Sequence, residues 1–153
     1  MTSIIARLQQ ADLDAAAEFD ALMREAVGDG AIVTFVGVAR ATNKAGEAVD
    51  ALVLEPHPKL TQLSLDQIAA DGATKFDVSR VMVVHRFGSV LPGQPVVFVG
   101  TASPHRRAAF EAADYLMDRL KTEAMFWKRE EGPAGSAWIE PTEADYRERG
   151  RWE

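Results

Sequence analysis

The stretch SPHRRAAFEAADYLMDRLKTEAMFWKRE, residues 103–130, decides the fold because it predicts one long amphipathic helix followed by a strand. Ser103 and Pro104 are typical of a helix start, since a serine oxygen caps free amides and proline fits the first turn. Apolar residues then recur at steps of three and four, which predicts one buried face. These residues are Ala109, Phe110, Ala113, Leu116, Met117 and Leu120.

Lys121 is the unusual residue of this predicted helix. At about 100° per residue, it lies about 20° around the axis from Phe110 and about 40° from Met117. Two interpretations of its side chain stay open. It either covers apolar surface with its stem and reaches water at the helix end, or it lines a pocket where desolvation lowers its pKa and makes the amine reactive.

Cations gather at both ends of the same helix. Lys128 and Arg129 follow the aromatic pair Phe126–Trp127, and His105 and Arg106 stand at the helix start. The chain as a whole has a formal net charge of −6, so this local concentration of positive charge favours an anion-binding pocket.

Four motifs carry a family resemblance. SPHRRAAF (103–110) and LMDRLKTEAMFWKRE (116–130), with FVGVAR (35–40) and HRFGSVLPGQPVVFVG (85–100), closely resemble the large, catalytic subunit of molybdopterin synthase. The resemblance spans roughly residues 28–140, with the motifs in the family's order. It implies an α/β-hammerhead fold, a homodimer, and neither a cofactor nor a metal.

The resemblance also implies a sulfurtransferase reaction and a protein partner. Each protomer would receive the Gly-Gly tail of a small ubiquitin-like subunit that carries a C-terminal thiocarboxylate. The sulfur would pass to cyclic pyranopterin monophosphate and build the dithiolene of molybdopterin. We therefore expect the larger assembly to be a heterotetramer of two large and two small subunits.

Composition limits the function classes. The 153 residues predict one domain, which we place at 1–140, followed by a charged tail at 141–153. The net negative charge argues against general binding to nucleic acid or anionic membranes, and the absence of a basic, apolar leader predicts a cytoplasmic protein. No cysteine is present, which excludes disulfides, thiolate metal sites and a persulfide carried by this chain, so any sulfur must arrive on another molecule.

The order of predicted elements indicates an α+β domain with a mostly antiparallel sheet. After a short edge strand at 3–8, Asp12 or Asp14 caps a first helix, and the strand GAIVTFVGVAR delivers Arg40 to a loop. An interior strand VDALVLEP precedes a second helix at 59–74. Pro92–Gly93 then places a turn between two antiparallel strands, and MFWKREE pairs with AWIEP. The second helix is predicted to bury Leu60, Leu63, Ile68 and Ala69.

Site roles follow from the resemblance together with the residue types. Lys121 is predicted to be the catalytic amine, with Lys128 as the second catalytic residue. Donors such as arginine forks suit the phosphate of the substrate, and the predicted substrate-binding residues are Val38, Ala39, Arg40, His105, Arg106, Arg129 and Glu130. The predicted slot for the partner's tail comprises Phe35, Met117, Met125 and Phe126, which could equally be core residues. The open alternatives are a structural hydrogen bond for His85, a loop position for His57 and a solvated strand position for Arg129.

Helix length adds a geometric hypothesis. Arg106 and Lys121 are fifteen residues apart, which is about 22 Å along a helix axis, and no glycine or proline between them would break the helix. One small ligand therefore cannot touch both residues of the same helix. We predict a composite pocket, with Lys121, Lys128 and Arg40 from one copy and His105 with Arg106 from another.

Two other functions remain possible on sequence grounds. The same basic cluster could serve an unrelated phosphate-ester enzyme that needs no protein partner. The chain could also be a non-catalytic module that docks a ubiquitin-like protein.

Overall fold

The computed structural model describes residues 2–153 and contains two four-stranded sheets and four helices. In chain order the elements are β1 (Ser3–Gln9), α1 (Ala15–Glu25), β2 (Ala31–Val38), β3 (Ala51–Pro56), α2 (Leu60–Lys75), β4 (Arg80–Arg86), β5 (Gly88–Val90), β6 (Pro95–Ser103), α3 (Arg106–Glu123), β7 (Phe126–Gly132), β8 (Gly135–Ile139) and α4 (Glu143–Gly150). The strand pairs are antiparallel except for β1 with β4. The α+β prediction is confirmed.

The first sheet has the order β1-β4-β6-β2 and is covered on both faces. Helices α2 and α3 pack on one face and form the largest core, in which Leu65, Val83, Val99 and Leu116 are fully buried. Helix α1 covers the other face around Leu22 and Phe98. Because β4 and β6 lie between the two layers of helices, their residues are buried on both sides and read as continuous apolar runs.

The second sheet has the order β5-β3-β7-β8 and carries the segment that follows α3. The predicted hairpin of β4 and β6 is present, but the chain between them also forms the short strand β5, which the sequence prediction missed. Gly88, at φ +87°, lets the chain leave the first sheet. Val90 then lies opposite Leu52 of β3, so β4 and β5 connect the two sheets.

The predicted start of α3 is wrong. Ser103 is the last residue of β6, opposite Ala31 of β2, and α3 begins at Arg106 after His105, which makes no side-chain capping bond. The Ser103 hydroxyl instead donates to the carbonyl of His105. Strand pairing therefore overrides the capping preference of the Ser-Pro pair.

The apolar stripe of α3 is also rotated from its prediction. The buried residues are Ala109, Ala112, Ala113, Tyr115, Leu116 and Leu120. Phe110 is 60% exposed and Lys121 is exposed, so both lie at the edge of the packed face. The small residues face inward because α3 packs closely on α2, where a Cβ on Gly72 would lie 2.8 Å from the Leu116 side chain.

Helix α2 differs in a similar way. Ile68 and Ala69 are buried as predicted, but Leu60 and Leu63 are exposed. The buried positions are Thr61, Leu65, Ile68, Ala69 and Gly72, which repeat at three and four residues and define a single stripe. Leu63 lies off this stripe, since the stripe faces the first sheet and α3.

The charged C-terminal segment folds back as a helix. Thr142 and Asp145 form a capping box at the start of α4. Arg149 Nε donates to Glu123 at 2.6 Å, and the Trp152 indole N–H donates to Asp118 at 2.7 Å. These bonds attach α4 to the C-terminal half of α3. Within residues 2–153, no helix combines the length and apolar character needed to cross a bilayer.

Two leucines on α2 provide a matched test of this packing. Leu65 is fully buried and Leu63 is 59% exposed, so the same chemical change should have different costs. We expect Leu65→Ala to lower the free energy of unfolding by about 3 kcal/mol and Leu63→Ala by less than about 1 kcal/mol. Urea denaturation measures both values. Equal losses for the two variants would contradict the assigned orientation of α2.

Candidate active site

Lys121 and Lys128 share one site because the chain turns sharply between them. Lys121 lies in the last turn of α3, and Lys128 is the third residue of β7. Burial lowers the pKa of Lys128, and the nearby charge of Lys121 lowers it further. The fold therefore brings these two predicted residues close enough for the charge of one to act on the other. A lysine with a lowered pKa is better able to exchange a proton near neutral pH.

The carboxylate of Asp145 lies near this lysine pair. Partial burial alone would raise its pKa, but hydrogen bonds from Thr142 and the charges of Lys121 and Lys44 lower the pKa overall. The charge of Asp145 in turn partly offsets the lowering of the Lys128 pKa. The capping box of α4 thus also supplies a negative charge beside the two lysines, and the sequence prediction missed this role.

His85 forms the buried base of the site. Its imidazole stacks on Phe126 with a ring-centroid separation of 4.4 Å, and Phe126 and Lys128 point to the same side of β7. Nδ1 lies 2.8 Å from the carbonyl of Arg86, which confirms the predicted structural hydrogen bond and makes Nδ1 the protonated nitrogen. Burial, with a smaller contribution from the charge of Lys128, lowers the pKa of His85 to about 4 despite that hydrogen bond. His85 is therefore neutral at physiological pH.

The end of β2 lies against the same side of the second sheet. Ala39 is buried in a small core with Leu54 and Val90, onto which Phe126 packs. Leu54 lies directly opposite Lys128 in the strand register. Arg40, which follows Ala39, is exposed at the rim of this core, and Val38 is half-exposed. The FVGVAR segment therefore ends beside the strand that carries Lys128.

Arg129 and Glu130 point to opposite faces of β7. Glu130 is on the Lys128 side and opposite Leu52, because alternate residues share a face. The Arg129 guanidinium is bonded to Glu55 and to Glu131 and lies 5.8 Å from the Trp138 ring. The structure thus brings Glu130 to the lysine pair and directs Arg129 away from it.

His105 and Arg106 lie at the opposite end of α3. Both are exposed, and they line an open cavity of about 480 Å³ together with Gly30, Pro104 and Arg107. Helix α3 is continuous over its 18 residues, as predicted, so Arg106 and Lys121 lie about 22 Å apart along its axis. Within one chain the two basic ends of α3 cannot contact the same small molecule.

The four residues predicted for the partner-tail slot have different environments. Phe126 packs into the small core around Ala39, and Met117 packs against the main core. Phe35 and Met125 are exposed. The backbone of Met125 is fixed by α2, since its N–H donates to Ser64 Oγ at 3.2 Å and its carbonyl accepts from Thr61 Oγ1 at 2.5 Å. No group of three or more His, Asp or Glu side chains within residues 2–153 is arranged to hold a metal ion.

Comparison with known proteins gives consistent matches. The model of the family described as "MoaE protein" matches residues 8–123. A Pseudomonas aeruginosa protein named molybdopterin synthase catalytic subunit is 44% identical over 147 residues, covering 96% of this chain and 97% of its own length. The solved structure of the molybdopterin biosynthesis MoaE protein from Burkholderia ambifaria has a TM-score of 0.80 at 37% identity, covering 99% of this chain and 98% of that one.

A more distant structure shares the fold. It is a protein-protein complex of subunits 1 and 2 of molybdopterin-converting factor from Helicobacter pylori. The match has a TM-score of 0.70 at 21% identity and covers 90% of this chain and 89% of that one.

The charges around Lys128 allow a signed test of the site. We expect its pKa to lie below the ordinary 10.5, to rise in Lys121→Met and to fall further in Asp145→Asn, because these changes remove a repulsive and an attractive charge. NMR titration of the lysine side chains measures the values. The pKa of Lys128 is lower in the folded state than in the unfolded state, so the folded state loses the Lys128 proton at a lower pH. The free energy of unfolding should therefore rise with pH between the lowered pKa and the ordinary 10.5. An unchanged Lys128 pKa in both variants would show that the three groups are not close together.

Proposed function

Because the chain belongs to the MoaE family of molybdopterin synthase catalytic subunits, we propose that it inserts the dithiolene sulfurs of molybdopterin at the Lys121–Lys128 pair. The substrate is cyclic pyranopterin monophosphate. The sulfur donor is the thiocarboxylated C-terminus of a small ubiquitin-like subunit. The observation that supports this role most directly is the lysine pair itself, in which burial and Lys121 together lower the pKa of Lys128.

The charges of the site suit both reactants. The phosphate of the pterin and the thiocarboxylate of the partner are anions, whereas the chain as a whole has a net charge of −6. Positive charge comes from Lys121, Lys128 and Arg40. These residues lie at the end of α3, near the start of β7 and just after the end of β2. An acidic surface with one basic pocket directs small anions to that pocket.

Each lysine has a distinct role in the chemistry. After the thiocarboxylate sulfur has bonded to the pterin, water attacks the acyl carbon, the acyl–sulfur bond breaks and the partner leaves as a carboxylate. The Lys121 ammonium stabilises the negative charge that develops on the acyl oxygen during this attack. Lys128, whose pKa is lowered, donates or accepts the proton that the sulfur transfer requires. Since the chain has no cysteine, sulfur stays on the partner until it reaches the pterin.

The second copy of the chain completes the pocket in this proposal. His105 and Arg106 are exposed donors at the start of α3, and they lie too far from Lys121 to serve its pocket within the same copy. In a two-fold homodimer, a patch of one copy that contacts a second patch of its partner does so twice. We propose that the basic start of α3 in each copy lies near the lysine pair of the partner copy in this way. Val38 and Glu130 complete the proposed substrate contacts, and Phe35 and Met125, both exposed, are available to the partner's tail.

Arg129 has a structural role in the revised site. Its guanidinium already satisfies Glu55 and Glu131 on the outer face of β7, so we exclude it from the phosphate contacts proposed from the sequence. Residues 1–140 form the catalytic body in this proposal, and residues 141–153 add the Asp145 carboxylate at its rim. We place the reaction in the cytoplasm, where proteins without disulfides are typical.

Reconstitution tests the function. The protein is incubated with a thiocarboxylated small subunit and cyclic pyranopterin monophosphate, and dithiolene product is detected. We expect Lys121→Ala to lower the rate at least about a hundredfold, because the charge that stabilises the transition state is lost. Lys59→Ala, an exposed lysine at the start of α2, should react like the wild type.

The same experiment separates the alternatives. Turnover of a phosphate ester without any partner would favour a phosphate-ester enzyme. Partner binding in a pull-down with no product, and no effect of changing Lys121 or Lys128, would identify a docking module. Full activity of Lys121→Ala would contradict the role proposed for the lysine pair.

A further inference from the structure

Arg86, at the end of β4, is buried although it is charged. Its side chain is 5% exposed, whereas Asp12, the carboxylate 3.4 Å from its Nη2, is at the surface. Nη2 also donates to the carbonyls of Gln10 at 3.0 Å and Ser89 at 3.4 Å, and Nη1 donates to Oε1 of Gln94 at 3.3 Å. Its Nε has no hydrogen-bond partner within residues 2–153. This guanidinium is thus held mainly by neutral oxygens from three segments of chain.

Such burial is costly, because a charge loses its hydration and neutral oxygens compensate only in part. An apolar side chain of similar size would fill the same space without that cost. The features that distinguish arginine here are its directed donors, which reach Gln10, Ser89 and Gln94 at once.

The Gln94 side chain fixes a tight turn. The Gln94 N–H donates to the carbonyl of Leu91 at 3.0 Å, and Gly93, the third residue of the turn, has φ +87°. This geometry is a type II turn, for which Pro92 and Gly93 are the preferred central residues. Oε1 of Gln94 accepts from the Leu91 N–H at 3.0 Å as well as from Arg86. One oxygen thus joins the two ends of the turn to the buried guanidinium.

The 91–94 turn forms hydrogen bonds with both the N–H and the carbonyl of Ala39. The Ala39 N–H donates to the Gln94 carbonyl at 3.0 Å, and the Ala39 carbonyl accepts from the Gly93 N–H at 2.9 Å. These bonds follow the irregularity at Gly37 and Val38 where β2 ends. The direction in which the chain continues to Arg40 is therefore set by the turn.

We propose that Arg86 is a positioning residue, which holds Gln94 and the 91–94 turn so that Ala39 and Arg40 are fixed beside the lysine pair. Arg86 itself is enclosed by protein and does not contact the substrate. Arg86 directly follows His85 at the end of β4, and the His85 ring stacks on Phe126 at the same site. The effect on substrate rests on the proposed function, whereas the effect on Ala39 does not.

Hydrogen exchange tests the structural part without any assay of activity. We expect the protection factor of the Ala39 amide to fall at least about tenfold in Arg86→Met and in Gln94→Met, because the Gln94 carbonyl that accepts from this amide is no longer held in place. The Val99 amide, in the centre of the first sheet, should be unchanged and shows that the fold is intact. Arg80→Met, on the same strand but bonded to Glu25 of α1, is the matched control. Unchanged protection of Ala39 in Gln94→Met would overturn the proposal.

Steady-state kinetics test the link to substrate. Gln94→Met should raise KM for cyclic pyranopterin monophosphate at least about fivefold while kcat changes less than about twofold, since Arg40 binds rather than reacts. Gln94→Glu keeps the accepting oxygen and should restore KM. If Arg86→Met does not fold, the Gln94 variants still decide the matter, because Gln94 is only partly buried.

The outcomes separate the two proposals. A wild-type protein that forms no product would contradict the proposed function, and the exchange of Ala39 would still decide the role of Arg86. A wild-type protein that is active, with normal KM in Gln94→Met, would overturn the role of Arg86 in substrate binding.

Discussion

The continuity of α3 is the constraint on which the arrangement of the site depends. The helix runs unbroken for 18 residues, and its buried face of small residues fixes it against α2 and the first sheet. It therefore holds two basic groups about 22 Å apart, with His105 and Arg106 at one end and Lys121 at the other. No rearrangement of side chains can close that distance, so a pocket that uses both ends needs two copies of the chain.

The two sheets then determine what surrounds Lys121. Strand β7 returns directly after α3 and places Lys128 over a small core of Ala39, Leu54 and Val90. Neutral His85 stacks on Phe126 below this strand, and α4 brings Asp145 to the rim. Lys128 thus has largely buried, low-dielectric surroundings, and Asp145 supplies a carboxylate that partly offsets the effect of burial on its pKa. Burial and the charge of Lys121 lower the pKa of Lys128, which is the direction that the proposed proton transfer requires.

Much of the fold was predictable from the sequence because its local signals agree with the tertiary structure. The presence of the first and third helices follows from their apolar periodicity, and the β4–β6 and β7–β8 hairpins follow from their turn residues. The errors have a common cause, since the face that a helix buries depends on its neighbours. Phe110 and Leu63 are apolar but exposed, and Ser103 is drawn into β6 by pairing with β2. Strand β5 was missed because three residues give no periodicity.

The site was predictable in its residue types more than in its geometry. The basic cluster and the 22 Å argument needed only the sequence, but the outward direction of Arg129 depends on the register of β7. The roles of Asp145, His85 and Arg86 depend on contacts between residues far apart in the chain. The motif HRFG, whose first two residues end the buried strand β4, was the available signal for the last two.

Activity of a mixed dimer tests the shared pocket most directly. One copy carries Lys121→Ala and the other carries Arg106→Ala, and different affinity tags allow the mixed dimer to be purified. Each variant alone should have little activity. If each pocket uses both copies, one of the two pockets in the mixed dimer is intact, and it should show about half of the wild-type rate. If each pocket belongs to a single chain, both pockets carry a lesion, and an inactive mixed dimer would contradict the account.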